Sequence, residues 1–233
     1  MKIKVYAATD VGCVRSRNED GFYINGLSIN KKDCFELSTD IDDKNIFIAL
    51  MDGITSTEDG SEAVALLSKF FSNNEFSSEK ELEEYIKDAN LYVIKNSEKD
   101  TATTVSGFFV LEDKIKIFNA GDSKIYKLNN GYLMQLSVDD VANQYLDIKQ
   151  PLIQCIGMKK HKYDFHISEE NIGTYLLCSD GITDMLSVDD MENIFKDFRT
   201  PERIGKALIK AAKSRGGYDN ITVIVIGEAE YER

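Results

Sequence analysis

The stretch TTVSGFFVLEDKIKIFNAGDSKIYKLNNGYLMQL, residues Thr103–Leu136, decides the fold class. It holds four strand-length apolar runs, Thr103–Leu111, Ile115–Asn119, Lys124–Leu128 and Tyr132–Leu136, with breaks as short as Glu112-Asp113-Lys114 and Asn129-Asn130-Gly131. Breaks that short join antiparallel neighbours, whereas a parallel pair needs a crossover of roughly a dozen residues. A doubly wound parallel sheet is therefore disfavoured. Working outward, Ile3–Ala8, Gly21–Ile24, Ile46–Met51, Tyr175–Cys178 and Ile221–Gly227 also read as strands. Blocks of helical spacing interrupt them. Ser61–Phe71 sets Ala63, Leu66, Leu67 and Phe70 on one face, and Glu79–Asn96 does the same with Leu82, Ile86, Ala89 and Val93. A last helix opens at Thr200-Pro201, an N-cap followed by a first-turn proline, carries Ile204, Ala207, Leu208 and Ala211, and closes at Gly216. Strand runs with separate amphipathic helices predict an α+β fold, antiparallel sheets covered by helices. No repeat, low-complexity tract or linker divides the chain, so residues 1–233 read as one domain.

With 233 residues, 42% of them hydrophobic, and 15 Gly against 2 Pro, the chain can bury a core and is neither collagenous nor a Pro-rich disordered protein. No apolar stretch approaches the roughly 18 residues of a membrane helix. The N-terminus MKIKVYAATD lacks the apolar region and cleavage site of a signal peptide, so a cytoplasmic location is expected. Basic residues number 28 against 40 acidic, a net charge of −12. Nucleic acid and anionic membrane surfaces select clustered Lys and Arg, and neither is an expected partner. The excess of carboxylates serves solubility and equally supplies what a cation site draws on; net charge does not separate the two. Cys13, Cys34, Cys155 and Cys178 are scattered and read as reduced thiols, not as a disulfide framework or a zinc site. His161 and His166, the only histidines, read as surface or half-buried structural residues.

Four apolar strand runs meet acidic residues in the same way. The run ending at Met51 leads to Asp52-Gly53, KIKIFNA leads to Gly121-Asp122-Ser123, YLLCS leads to Asp180-Gly181, and Asp219-Asn220 precedes ITVIVIG. Any one of these could be an Asp-Gly turn. If the four strand ends converge, their carboxylates repel strongly at low dielectric, and a divalent cation relieves that repulsion. All-oxygen ligands without Cys or His select hard ions, Mg²⁺ or Mn²⁺, that keep several waters. Arg15 and Arg17, in VGCVRSRNED, are the only arginines before Arg199. A guanidinium fork grips phosphate bidentately, although a structural pair with Glu19 or Asp20 is the equal alternative. Carboxylate-bound divalent ions with a phosphate-gripping arginine amount to a phosphate-ester hydrolase.

These residues carry a family resemblance. GCVRSRNED, ALMDG, the GSEA that opens the next helix, TATTVSG, NAGDSKIY, YLLCSDGITD and GGYDNITVIVI resemble, in order and through nearly the whole chain, the metal-dependent protein phosphatases (the PPM family, type 2C serine/threonine phosphatases), particularly their short bacterial members. The resemblance implies a sandwich of two antiparallel sheets flanked by helices on both sides, a four-layer αββα arrangement with a metal centre at one end. It implies that Asp52 bridges two Mg²⁺ or Mn²⁺ ions with help from the Gly53 carbonyl, that Asp180 and Asp219 complete the set, and that Glu19 and Asp20 orient metal-bound waters. It also matches Asp122, with Asp180, to a looser third ion and Arg15 to the phosphate-holding arginine, leaving Arg17 without a fixed role. The implied reaction is hydrolysis of phosphoserine and phosphothreonine by a water activated between two metals, without a phosphoenzyme. Phosphorylated proteins are the implied substrates, a Ser/Thr kinase or its target a partner, and a monomer the implied state.

The chain departs from the family at several points. The loop after the first Asp-Gly is Ile54-Thr55-Ser56-Thr57-Glu58-Asp59, more polar and acidic than the Gly-rich loop of many bacterial members. Ile54 stands where eukaryotic relatives carry a histidine proposed as general acid. Asp139-Asp140 replaces the usual Asp-His, and Lys124 replaces the arginine of the GDSR signature. Asp139–Asp164 resembles the mobile flap beside the active site. Its cluster Lys159-Lys160-His161-Lys162 reads either as a receiver of phosphopeptide or as a solvated loop. The rival from another class is a pseudophosphatase, the same fold used as a regulatory binding module; loss of a metal ligand would signal it, and Asp52, Asp122, Asp180 and Asp219 are all present. A haloacid-dehalogenase type phosphatase needs a second Asp two residues after the first, and Met51-Asp52-Gly53-Ile54 lacks it.

Overall fold

In a computed structural model, which describes residues 1–73, 82–111, 114–143, 150–159 and 165–228, the first half of the chain runs β1 (Lys2–Asp10), β2 (Gly21–Ile24), β3 (Leu27–Asn30), β4 (Cys34–Asp42), β5 (Asn45–Met51), α1 (Gly60–Asn73) and α2 (Leu82–Asn96). It continues with β6 (Val105–Leu111), β7 (Lys114–Ala120), β8 (Lys124–Asn129), β9 (Tyr132–Gln135), β10 (His166–Glu170) and β11 (Tyr175–Cys178). The last elements are α3 (Asp180–Thr183), α4 (Val188–Asp197), α5 (Pro201–Ser214) and β12 (Ile221–Glu228). The strand pairings are antiparallel. They build two six-stranded sheets, ordered β4-β1-β12-β11-β8-β9 and β10-β7-β6-β5-β2-β3.

Strand side chains alternate between faces, and here both faces are covered. In β5, Ile46, Ile48 and Leu50 point into the space between the sheets, while Phe47, Ala49 and Met51 meet α1 and α2. In β12, Ile224 and Ile226 point inward, while Val223 and Val225 meet α4 and α5. Central strands buried on both sides read as continuous apolar runs, which is why the sequence displays them so plainly. Three apolar layers thus separate four structural layers, the predicted sandwich with helices outside both sheets.

The breaks at Glu112–Lys114 and Asn129–Gly131 join antiparallel neighbours, β6 to β7 and β8 to β9, as predicted. The junction between them behaves differently. β7 and β8 lie in opposite sheets, so Gly121-Asp122-Ser123 crosses the sandwich. β3, β4 and β10, which the apolar pattern does not predict, are all sheet edges. α3 is a single turn, and α4 opens on a capping box between Ser187 and Asp190 that the pattern reading also passes over. The first residues of the predicted Glu79–Asn96 helix lie outside the described residues. Thr200 caps α5 as expected, accepting a hydrogen bond from the Arg203 N–H at 3.4 Å. Among the described residues, no helix is long and apolar enough to cross a membrane.

Ile48 has no exposed surface and sits between the sheets. Ile48→Ala should lower stability by about 2–5 kcal/mol, read as a drop in urea midpoint at unchanged slope.

Candidate active site

The acidic strand ends come from both sheets. Asp52 follows β5 and Asp122 follows β7, in one sheet; Asp180 follows β11 and Asp219 precedes β12, in the other. All four line one cleft of about 690 Å³, together with Gly53 and Arg15. The surrounding backbone holds them there. The Thr104 N–H and the Thr103 hydroxyl donate to the Asp52 carbonyl at 2.8 and 2.9 Å, and the Asp52 N–H donates to Thr104 Oγ1 at 3.2 Å. Thr104 Oγ1 lies 2.7 Å from Ser123 Oγ, which ties the Asp52 corner to the crossing turn that carries Asp122. The TATTVSG motif therefore acts as a splice between two acidic corners. On the other sheet, Ser179 and Thr222 exchange hydrogen bonds of 3.0 Å. Gly181 approaches the Asn220 carbonyl so closely that a Cβ would stand 1.9 Å from it, so only glycine lets the Asp180 and Asp219 corners meet.

Convergence is visible in the electrostatics. Burial raises the Asp52 carboxyl well above the ordinary carboxylate range, and the negative charges of Asp20, Asp180, Asp122 and Asp219 raise it further. Burial also pushes Asp20 up to about 7, with Asp180 and Asp219 adding to it while hydrogen bonds from Thr222 and Ser179 oppose it. Asp20 and Glu19 lie buried behind the cleft floor. The Thr222 hydroxyl donates to Asp20 Oδ2 at 2.7 Å. The two arginines separate in role. Arg17 pairs with Glu19 at 2.6 Å, whereas Arg15 reaches across to Asp219 Oδ2 at 2.7 Å from the cleft wall. The structural alternative thus describes Arg17, and Arg15 has a different carboxylate from either anticipated. Cys178 is buried and its thiol is pushed up to about 12 by that burial, so it is held protonated away from any nucleophilic use.

Among the described residues, no three Asp, Glu, His or Cys side chains are grouped closely enough to hold a metal ion between them. What the cleft offers is carboxylates of like charge spread round its floor, with Arg15 drawn onto one of them. That donor set fits hard divalent ions held by one or two carboxylates each, with water filling the remaining positions. The mutual repulsion that lifts Asp52 is what such ions would relieve.

Two further residues hold the site. Asn220 accepts the Glu19 N–H at 2.8 Å and donates to the Val11 and Arg17 carbonyls at 3.0 Å each. It clips the whole Val11–Asp20 loop against Asp219. Asp140 accepts the Gly121 N–H at 2.9 Å and the Gln154 amide at 3.2 Å, and its other oxygen lies 3.1 Å from His166 Nε2. Asp-Asn before a strand and a second acid after Asp139 were the available signals, and both were overshadowed by the four strand-end carboxylates. The Ile54–Asp59 loop closes on itself: the Thr57 N–H donates to the Ile54 carbonyl at 3.1 Å, and Asp59 Oδ1 takes the Ser61 hydroxyl at 2.7 Å at the start of α1. Part of its extra acidity is therefore helix capping. Of the region 139–164, residues 139–143 and 150–159 are described. Val141 bridges to Leu152 and Ile156 to Thr103, and Leu152, Met158 and Lys159 line one cleft wall. Lys160, His161 and Lys162 lie outside the described residues.

Asn220→Ala leaves the Glu19 N–H and two carbonyls without their partner in a buried place. Stability should fall by about 1–3 kcal/mol, with faster amide exchange at Glu19 than at strand β12.

A family model for protein phosphatase 2C matches residues 28–208. The serine/threonine phosphatase stp of Listeria innocua is 30% identical, over 94% of this chain and 93% of its own length. The fold superposes on the Streptococcus agalactiae serine/threonine phosphatase with a TM-score of 0.77 at 23% identity, covering 97% of this chain and all of that one. It also superposes on the catalytic domain of the serine/threonine protein phosphatase PstP in complex with two manganese ions, with a TM-score of 0.74 at 24% identity, covering 99% of this chain and all of that one. The strand-end acids, the crossing turn between the sheets and these likenesses have one reading: the chain belongs to the protein phosphatase 2C family of serine/threonine phosphatases.

Proposed function

We propose that this chain removes phosphate from phosphoserine and phosphothreonine in proteins by direct attack of water, with Mg²⁺ or Mn²⁺ as cofactor. The observation that carries the reading is the meeting of Asp52, Asp122, Asp180 and Asp219, from two sheets, on one open cleft with Arg15 on its wall. PstP, of the same fold, takes two manganese ions. Asp52, the Gly53 carbonyl, Asp180 and Asp219 would hold two ions, and Asp122 with Asp180 a third. When bound, the ions lower the pKa of a shared water and neutralise the phosphoryl oxygens. The protein's own share is positional. Arg15 exchanges the Asp219 carboxylate for two phosphoryl oxygens, which its planar fork matches. Glu19 and Asp20, buried behind the carboxylates, orient hydration at the floor. Lys159 adds a positive charge to the cleft lining, beside Leu152 and Met158 of the flap region. Ile54, beside Gly53, has no proton to give, so protonation of the leaving group would fall to a metal-bound water. The four cysteines are free, which suits a reducing, cytoplasmic setting; a Ser/Thr kinase or its target would be the partner, with the chain acting as a monomer.

Two measurements check this. Hydrolysis of a phosphothreonine peptide should require Mn²⁺, stop on EDTA, and fall by more than about 100-fold in Asp219→Asn, beyond what loss of an outer partner of a metal ligand costs. Folded, Mn²⁺-loaded wild type without turnover would instead mark a regulatory binding module. Arg15→Ala should lower kcat/KM by about 10- to 100-fold, the worth of a charge-assisted hydrogen-bonded grip, and Arg15→Lys should recover only part of it.

A further inference from the structure

Among the described residues, the most exposed large hydrophobic side chains are Tyr132 at 66%, Val14 at 63% and Tyr218 at 63%; the next, Ile172, is at 51%. Single exposed apolar residues are ordinary on any surface. The placement of two of these three is not, since Val14 immediately precedes Arg15 and Tyr218 immediately precedes Asp219, the pair joined at 2.7 Å at the cleft. The backbones beside both are tied together. The Cys13 N–H donates to the Gly217 carbonyl at 2.8 Å, binding the turn of Val14 to that of Tyr218. The Gly217 N–H in turn donates to the Ala212 carbonyl at 3.1 Å, anchoring the pair to the end of α5. The Tyr218 ring lies on the Gly216 backbone, where a Cβ would meet it at 2.8 Å. Neither the Val14 nor the Tyr218 side chain lines the cleft itself, whose remaining walls mix polar residues such as Thr55, Ser56 and Asp100 with apolar Pro151, Leu152 and Met158.

A phosphoserine or phosphothreonine side chain is short. Its phosphate cannot reach Arg15 unless the peptide backbone lies at the cleft mouth, and the neighbouring residues must then cover the rim. We propose that Val14 and Tyr218 form an apolar ledge that receives a large aliphatic or aromatic side chain within two residues of the phosphorylated position. The inference rests on the phosphatase reading and adds a substrate class to it: phosphopeptides with an apolar neighbour on the Arg15 side. Tyrosine suits such a ledge, because its ring gives broad contact area at small entropic cost while its hydroxyl stays in water. Partial burial of one leucine or phenylalanine corresponds to a roughly 5- to 10-fold preference.

The test uses the whole chain with Mn²⁺. Hydrolysis of p-nitrophenyl phosphate by the folded wild type comes first, because that ester has no neighbouring residues. Matched phosphothreonine peptides then carry Leu, Asp or Lys at each of the two positions before and after the phosphothreonine. For the wild type, kcat/KM should favour Leu over Asp by about 5- to 10-fold at one of these positions, mostly through KM. In Tyr218→Ser the preference should fall below about 2-fold, and Val14→Ser should lower it in part. Turnover of the aryl ester without any Leu preference overturns the ledge, and so does a preference that survives in both variants. No turnover of the aryl ester overturns the phosphatase reading and the ledge with it.

Discussion

The site depends on the two-sided burial of the central strands. Carboxylates that repel one another would drift apart on a compliant scaffold. In β5, β11 and β12, the apolar residues of each run are fixed by contacts on one face or the other, so a slip of one register would carry an entire row into the wrong core. That penalty is spread over both sheets and far exceeds the repulsion among a few acids at their ends. The strand termini therefore hold Asp52, Asp180 and Asp219 where electrostatics alone would not leave them. Hydrogen bonds between the corners, such as Thr104 to Asp52 and Ser179 to Thr222, complete the job locally.

The same packing decides what could be seen in the sequence. Where a strand is buried on both faces, its sequence is an apolar run and its existence is plain: β1, β5, β6, β7, β11 and β12 are legible for that reason. The edges are not. β4 reads CFELSTDID, with Phe35, Leu37 and Ile41 alternating with polar residues, a period-2 signal diluted by Thr39 and two aspartates. β10 reads HISEE and β3 only LSIN. Polar edges guard against pairing with other chains, and that protection hides them from a reading based on hydrophobicity. The crossing of Gly121-Asp122-Ser123 from one sheet to the other was illegible for another reason: a three-residue break looks like a hairpin until its neighbours have chosen their sheets.

The candidate site divides along similar lines. The strand-end acids were legible because an acid at the mouth of an apolar run is conspicuous. Arg15 was legible because arginine is scarce in a chain that uses lysine for most of its positive charge. Asn220 and Asp140 were not, since their work is done by backbone partners distant in sequence: Asn220 serves Val11, Arg17 and Glu19, and Asp140 serves Gly121. The signals present, Asp-Asn before a strand and a second acid after Asp139, do not by themselves name those partners. The departure at Asp139-Asp140 was visible, and its meaning emerged only when the second acid was found inside the sandwich mouth facing His166.

The pairing of β1 with β12, in which Ile3 lies opposite Glu228, has a consequence for how the protein is made. The two strands that flank the acidic mouth of one sheet come from opposite ends of the chain, and Arg15 and Asp219 are separated by 204 positions. Contacts of that sequence separation close late, because the loop entropy must be met before they return any stability. A ribosome-bound chain that has already paired β5, β6 and β7 would carry Asp52 and Asp122 with nothing opposite them. Arg15 and Asp219 meet only when β12 pairs beside β1.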